Sequence, residues 1–501
     1  MPLIVEHRQE VHTMLIQLYD SFNAFIDFMW GWPLLITILG GSLYYTIVTG
    51  GYQFKYFGRI FKAPFKKDPE LGDDKKNLTP FQAVCIAVGG CIGTANISGV
   101  ATAIATGGPG ALFWMFIAAL LGMVLKLVET TLAVYYRETN EDGSFSGGPT
   151  YYMKYALGVE KGFKGWKALA ILFGIGIFTV YFISLQNYNT AEAVSSTFGI
   201  PFIIPSLLLV ACIYAIILGG LKRVGRAASY LVPFMCLFYI GCVIIVLIVY
   251  AENIPSAIGL IFKSAFTGKA VAGGAVGAGW IYAMRLGVAR SVYSNEAGWG
   301  TSAMVHATAN TNHPVKQGIL ASFECIADTM LVCTATGLAV IVSGFWDSGL
   351  SGATLTLTAI ESAVGGFARG VIAISIFLFA LTTATGWFTY YRALLVHAFK
   401  GKTQKIMLAI QKYEGPLNPV ILSLMTYYLG GTPAFLWDLA DFTEIIPTLI
   451  NIIVIVILTP QFMKLYKDYQ ARYLGIGEVD PNMHLFYEDK VKAEKAAALK
   501  N

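Results

Sequence analysis

The chain has 501 residues, of which 56% are hydrophobic types and 13% are charged, about half the charge that a soluble surface normally carries. That balance excludes a soluble globular protein, and equally a disordered or fibrous one, which needs low hydrophobicity or a short repeat. A net charge of +5 without a concentrated basic face also excludes a nucleic-acid binder, so where the charges fall matters more than their sum.

From the N-terminus, Glu6, Arg8 and Glu10 precede any long apolar run, and no small-residue cleavage pattern follows a short hydrophobic core, so no cleaved signal peptide is expected. Within the N-terminal segment 1–31, residues 10–30 carry Leu15, Ile16, Leu18, Phe22, Phe25 and Phe28 in the pattern of an amphipathic helix lying on a membrane. A helix crossing a ~30 Å hydrocarbon core needs about 20 mainly apolar residues. By that measure eleven spans follow: 32–49, 80–106, 109–136, 166–197, 200–221, 228–250, 276–310, 315–345, 365–398, 416–437 and 441–463. The tail 464–501, rich in Lys, Glu and Ala, is expected to be a solvated cytoplasmic helix or disordered. All seven cysteines lie in apolar runs without a C-x-x-C pair and read as small buried hydrophobes.

Basic residues near span ends stay on the cytoplasmic side. Loops 50–79 and 137–167, the turns 222–226 and near 313, the segment 392–412 and the tail together hold 28 of the 35 Lys and Arg residues. The opposite loops and the N-terminal segment hold only Arg8, Lys263, Lys269 and Arg369. Eleven spans therefore thread with the N-terminus outside and the C-terminus inside a plasma (inner) membrane, each loop on its expected side.

Two spans are interrupted in mid-membrane. One reads Gly89-Gly90-Cys91-Ile92-Gly93-Thr94-Ala95-Asn96-Ile97-Ser98-Gly99, the other Tyr293-Ser294-Asn295-Glu296-Ala297-Gly298-Trp299-Gly300-Thr301-Ser302. Each glycine costs about 1 kcal/mol against alanine in a helix, and in lipid the freed backbone groups need protein or water-lined partners. With span one set aside, ten spans divide into five (80–250) and five (276–463), each half opening with its broken helix. Five is odd, so the halves enter from opposite sides. Paired discontinuous helices in two inverted halves point to a secondary transporter's site, with exposed N–H groups suited to a carboxylate and unwound carbonyls to a cation. The plainer alternative is that these small residues only let helices pack closely.

Other polar residues inside the spans have both structural and functional readings. Glu296 is placed to pair with Arg290 or Arg285, or to act on a coupling ion. Lys126 and Glu129, at i, i+3, are explained by a local salt bridge or snorkelling. Glu324 and Asp328 share one helix face, suited to capping the broken helices or to carrying protons. Gln186 offers an interhelical hydrogen bond. Thr382, Thr383 and Thr385, with Trp387 on the face of Thr383, offer hydroxyls for Na⁺ and an indole wall, or bond back to their own helix. No H-E-x-x-H, G-x-S-x-G or G-x-x-x-x-G-K-[ST] motif is present, which argues against an enzyme.

The two broken segments resemble those of the alanine or glycine:cation symporters. Gly93-Thr94-Ala95-Asn96-Ile97-Ser98-Gly99 with Gly107-Gly108-Pro109-Gly110 is similar to that family's first broken helix, and Ser294-Asn295-Glu296-Ala297-Gly298 with His306 and His313-Pro314 to its second. The likeness continues through Asp328-Thr329, Thr382-Thr383…Trp387 and Trp437-Asp438-Leu439-Ala440-Asp441. It implies an all-α integral membrane protein of leucine-transporter-like fold, five plus five helices and one more, taking up a small neutral amino acid with sodium and needing no other cofactor. The substrate carboxylate would meet the backbone of Asn96 to Gly99. Gln186 would lie beside the pocket, and Tyr293, Thr383 and Trp387 would close over the side chain. Thr94, Ala95, Ser294, Asn295 and Gly298 complete the implied substrate site. Carbonyls near Cys91 and Thr94 and the hydroxyls of Thr382 and Thr383 would hold sodium, while Arg285, Arg290, Glu296 and Asp328 would be structural or coupling residues. The chain departs from the family's usual Gly, Phe and Leu at Ala95, Tyr293 and Trp299, and from its Gly-Glu at Tyr391-Arg392. These departures leave glutamine or another amino acid, and proton coupling, as alternatives; a channel and a membrane-embedded enzyme are others.

Overall fold

The structure is a computed structural model that describes residues 2–66, 68, 69, 71, 72, 74, 76–183, 185–267, 279–428 and 433–498. Among these residues seven helical stretches are long and apolar enough to cross a membrane: Gln17–Val48, Gly110–Tyr135, Trp166–Phe198, Gly220–Val249, Pro314–Val342, Gly366–Ala398 and Leu436–Ile457. An eighth is the pair Pro80–Cys91 and Thr94–Gly107, if the two halves, bent by 58°, count as one. The protein is therefore a multi-pass membrane protein. The difference from eleven expected spans has local causes. Span 200–221 forms the shorter helix Ile203–Ile217, and span 276–310 is cut into Gly279–Asn295 and Thr301–His306. Residues 276–278, and 429–432 inside the span expected over 416–437, lie outside the described residues.

The first broken helix starts on a capping box. Thr79 Oγ1 accepts from Gln82 N and Gln82 Oε1 accepts from Thr79 N, both at 3.1 Å, and Pro80 occupies the first helical turn. The helix ends at Cys91, where Ile92 and Gly93 turn to extended backbone. Gly93 N then donates to Asn96 Oδ1 at 2.8 Å rather than continuing the helix. The second break has a different origin. Glu296 (φ 57°) is the one non-glycine residue with positive φ among the described residues, followed by Gly298 (φ 84°) and Gly300 (φ 81°). A left-handed glutamate is strained, and the bond from Thr301 Oγ1 to Glu296 (2.5 Å) holds it.

Helix Gly366–Ala398 packs against the first broken helix at a glycine contact: a Cβ on Gly386 would lie 3.0 Å from Gly90 Cα. Helix Gly110–Tyr135 is buried continuously from Gly122 to Tyr135 and forms the centre of the bundle. Among the described residues both terminal segments contact the bundle. Helix Pro2–Met29 leads into the first span, and beyond it the Trp30 indole donates to Asp441 O at 2.9 Å. The tail, expected as a solvated helix or disordered, buries Leu465, Tyr466 and Tyr469 of helix Thr459–Leu474. Its last helix, Tyr487–Ala498, docks on the loop between Gly110–Tyr135 and Trp166–Ile183 through Thr139 N to Glu488 (2.6 Å) and Lys490 to Glu160 (2.6 Å).

Candidate substrate and ion site

A cleft of about 900 Å³, open solvent at its mouth included, lies between the two breaks. Its wall takes Gly90, Cys91 and Ala95 from the first break, and Tyr293 and Trp299 from the second. Gln186 comes from Leu185–Phe198, and Thr383, Trp387 and Tyr391 from Gly366–Ala398. Unwinding frees backbone groups that these side chains then meet. Gln186 Oε1 accepts from Thr94 N at 3.0 Å. Because Gly93 N has turned away to Asn96, Gly89 O loses its helical donor, and Thr383 Oγ1 lies 3.0 Å from that oxygen and 3.1 Å from Ile92 O. One hydroxyl oxygen thus sits between two carbonyl oxygens, a hard-oxygen set of the kind that suits an alkali cation. Gly93 has no room for a side chain here: a Cβ would lie 2.8 Å from Thr383 Oγ1 and 3.0 Å from Gln186 Nε2.

The far wall is aromatic. Trp299 stacks edge-on against Trp387 (5.2 Å between ring centres) and lies 6.1 Å from Tyr293, which meets Trp437 at 5.5 Å. Gly99 abuts the Trp437 ring, 2.9 Å from where its Cβ would be.

The structure separates the expected site residues into two groups. Cys91, Ala95, Gln186, Tyr293, Thr383 and Trp387 line the cleft. The others brace the breaks. Asp328 Oδ1 accepts from Asn96 Nδ2 (2.5 Å) and from Ser294 Oγ (2.9 Å), so one carboxylate bridges both broken helices. Asn295 bonds Ser291 and Thr329, each at 3.0 Å, and Gly298 packs on Ile452 and Leu125. Thr94 accepts from Asn189 Nδ2 through its hydroxyl (2.8 Å), and its carbonyl accepts from Ser98 Oγ (2.9 Å). The carbonyls beside Thr383 are accordingly those of Gly89 and Ile92 rather than Cys91 and Thr94. Thr382 bonds back to Leu378 O and Phe379 O of its own helix and faces Met235.

The ionisable residues pair differently from the expectation. Arg290 binds both oxygens of Asp441 at 2.5 Å, and Arg285 pairs with Asp27 at 2.8 Å, so neither pairs with Glu296. Both partners are remote in sequence, which spacing along a single helix cannot reveal. Lys126 does not snorkel; its expected ion pair with Glu129 is present at 3.9 Å, beside a closer one. It is fully buried, pairs with Glu324 at 2.9 Å and donates to Ser302 Oγ at 2.6 Å. Glu324 also binds His306, which Gln317 holds at 2.6 Å. Gln411 and Tyr181 of the cleft carried no sequence signal; Trp299 and Tyr391 were marked only as departures from a family pattern.

A family model described as the sodium:alanine symporter family matches residues 15–478. An uncharacterized transporter of Haemophilus influenzae is 36% identical over 465 residues, covering 90% of this chain and 96% of that one. The probable sodium/glutamine symporter GlnT of Bacillus subtilis is 34% identical over 471 residues, 93% of this chain and 92% of that one. The sodium/alanine symporter AgcS of Methanococcus maripaludis is 35% identical over 385 residues, 75% of this chain and 82% of that one.

Proposed function

The chain belongs to the sodium:alanine symporter family, and on that premise we propose that it takes up a small neutral amino acid, alanine or glycine, together with sodium by alternating access. The observation that carries this reading is the juxtaposition at the first break: Thr383 Oγ1 between Gly89 O and Ile92 O, with Gln186 on the neighbouring Thr94 N–H. Sodium entering that oxygen set would turn the Thr383 proton outward and fix the unwound segment. The amino acid would then lie across Ala95, Tyr293 and Trp387, its carboxylate toward the N-terminus of Ser98–Gly107. In this reading Asp328, which ties Asn96 to Ser294, makes the two broken helices respond together, and Arg285, Arg290 and Glu296 are structural.

The topology we propose is eleven spans, one plus an inverted five-plus-five, with the N-terminus outside. The cleft continues to Gln411, Gly415 and Pro416, toward the side where the basic residues gather, which makes this the inward-facing conformation. Glutamine is the second reading, supported by the likeness to GlnT, a probable sodium/glutamine symporter. Titration of the purified protein with alanine, glycine and glutamine, with sodium and with potassium, tests the coupling. Sodium should tighten amino-acid binding, and by linkage the amino acid should tighten sodium binding by the same factor. Affinity indifferent to the cation would overturn it.

A further inference from the structure

Helix Pro433–Ile457 carries a carboxyl group that the symport reading leaves unused. Glu444 is fully buried, and neither of its side-chain oxygens has a hydrogen-bond partner among the described residues. Asp441, one turn earlier on the same helix, is bound by Arg290, and Tyr293 lies one turn beyond Arg290 on Gly279–Asn295; the charges that act on Glu444 are those of Asp441, Arg290 and Glu296. Arg290 is engaged: one of its terminal nitrogens, Nη2, holds Asp441 and its guanidinium lies over the Trp437 ring, while the other, Nη1, is buried without a hydrogen-bond partner among the described residues. Among the cations further out, Arg285 pairs with Asp27 and Lys126 with Glu324.

One guanidinium facing two carboxyl groups offsets one negative charge, and the second carboxyl is then driven to its neutral form. An unpaired buried carboxylate costs far more than a neutral acid lacking one hydrogen bond. Tyr293, which walls the cleft, lies one turn beyond Arg290 on its helix and packs its ring 5.5 Å from Trp437 of the Glu444 helix, and so joins this carboxyl to the transport site.

We infer that Glu444 is a proton-binding site: its carboxyl is protonated in this conformation and releases the proton in the conformation that admits water behind Tyr293. In that step the carboxyl O–H bond breaks and the proton passes to water. The free Arg290 Nη1 then meets the new carboxylate, and water returns the proton when the site closes. A proton is therefore exchanged once per transport cycle. The inference rests on the symport reading and adds a second coupled ion to it.

The test is uptake of labelled alanine into proteoliposomes with a pH-reporting dye trapped inside, for the full-length protein, Glu444→Gln and Glu444→Asp, each first shown to be monodisperse. The wild type should change internal pH in step with alanine uptake. Glu444→Gln, isosteric with the protonated acid, should lose that pH change and flatten the pH profile of uptake. Glu444→Asp should keep the pH change and move the midpoint of the profile by about one pH unit or more. Both variants matching the wild type, or both being inactive although monodisperse, overturns the inference. Uptake without sodium that still depends on a proton gradient and on Glu444 would overturn the sodium reading and uphold this one. A wild type driven by sodium with no proton movement would do the reverse.

Discussion

Thr382 and Thr383 are adjacent on one helix and have opposite surroundings. A helix turns by about 100° per residue, so the hydroxyl of Thr383 reaches the unwound carbonyls while that of Thr382 folds back on its own helix. Thr383→Val, which removes a hydroxyl oxygen from the cation set, should raise the sodium concentration for half-maximal uptake about tenfold, corresponding to ~1.4 kcal/mol. Thr382→Val should change it less than about twofold by the same measure. A sodium titration of uptake in both variants checks this, and equal effects would place the ion elsewhere. Gly93→Ala should abolish uptake, because its methyl group would press on both Thr383 and Gln186; Gly174→Ala, in open space, is the matched control. Sequence reasoning could nominate both threonines but not choose between them, since helix phase against a neighbour is decided by packing. For Asn96 the difficulty was similar: a polar residue at a break suits a ligand and a brace alike, and here it braces Asp328.

The two broken helices were legible because glycine and polar residues in mid-span have few other uses. That Asp328 braces them was legible as a polar residue inside a span; the contacts of Lys126 with Ser302 and Glu324 were not, since these residues come from three separate elements. Removing one partner of a buried pair leaves an uncompensated charge, so Lys126→Met should cost about 3–5 kcal/mol of stability, and Lys126→Met with Glu324→Gln should recover a substantial part of it. Thermal unfolding in detergent measures both, and additive losses in the double variant would contradict the pairing. A pH effect belongs to the turn that caps helix Pro314–Cys325. There His313 Nδ1 accepts from Val315 N, and Nε2 faces Asp468 Oδ2 at 3.2 Å. Burial pushes the His313 imidazole down to about 4, against the opposing effect of Asp468. Its folded-state value lies below the unfolded one, so the stabilisation from the neutral ring is complete above about pH 6.5 and is lost as pH falls toward 4. His313→Gln should flatten the pH dependence of the unfolding midpoint across that window; an unchanged dependence would show that other groups set it.

Hydropathy placed the long helices near their observed bounds, with Gly110–Tyr135 against 109–136 and Gly366–Ala398 against 365–398. Where a helix is short, as Ile203–Ile217 is, or interrupted, as the two broken spans were expected to be, length and hydropathy alone do not register a full span. Hydropathy also had no way to foresee that the tail docks on the loop between Gly110–Tyr135 and Trp166–Ile183, since Tyr487 and Tyr155, whose rings lie 4.9 Å apart, are far separated along the chain. The central claim is that sodium moves with a small amino acid through the cleft between the breaks. Its most direct test is accumulation of labelled alanine in proteoliposomes under an inward sodium gradient. The account predicts a transient overshoot above equilibrium that disappears when potassium replaces sodium and when Thr383 becomes Val. Accumulation that is the same without a sodium gradient would contradict it.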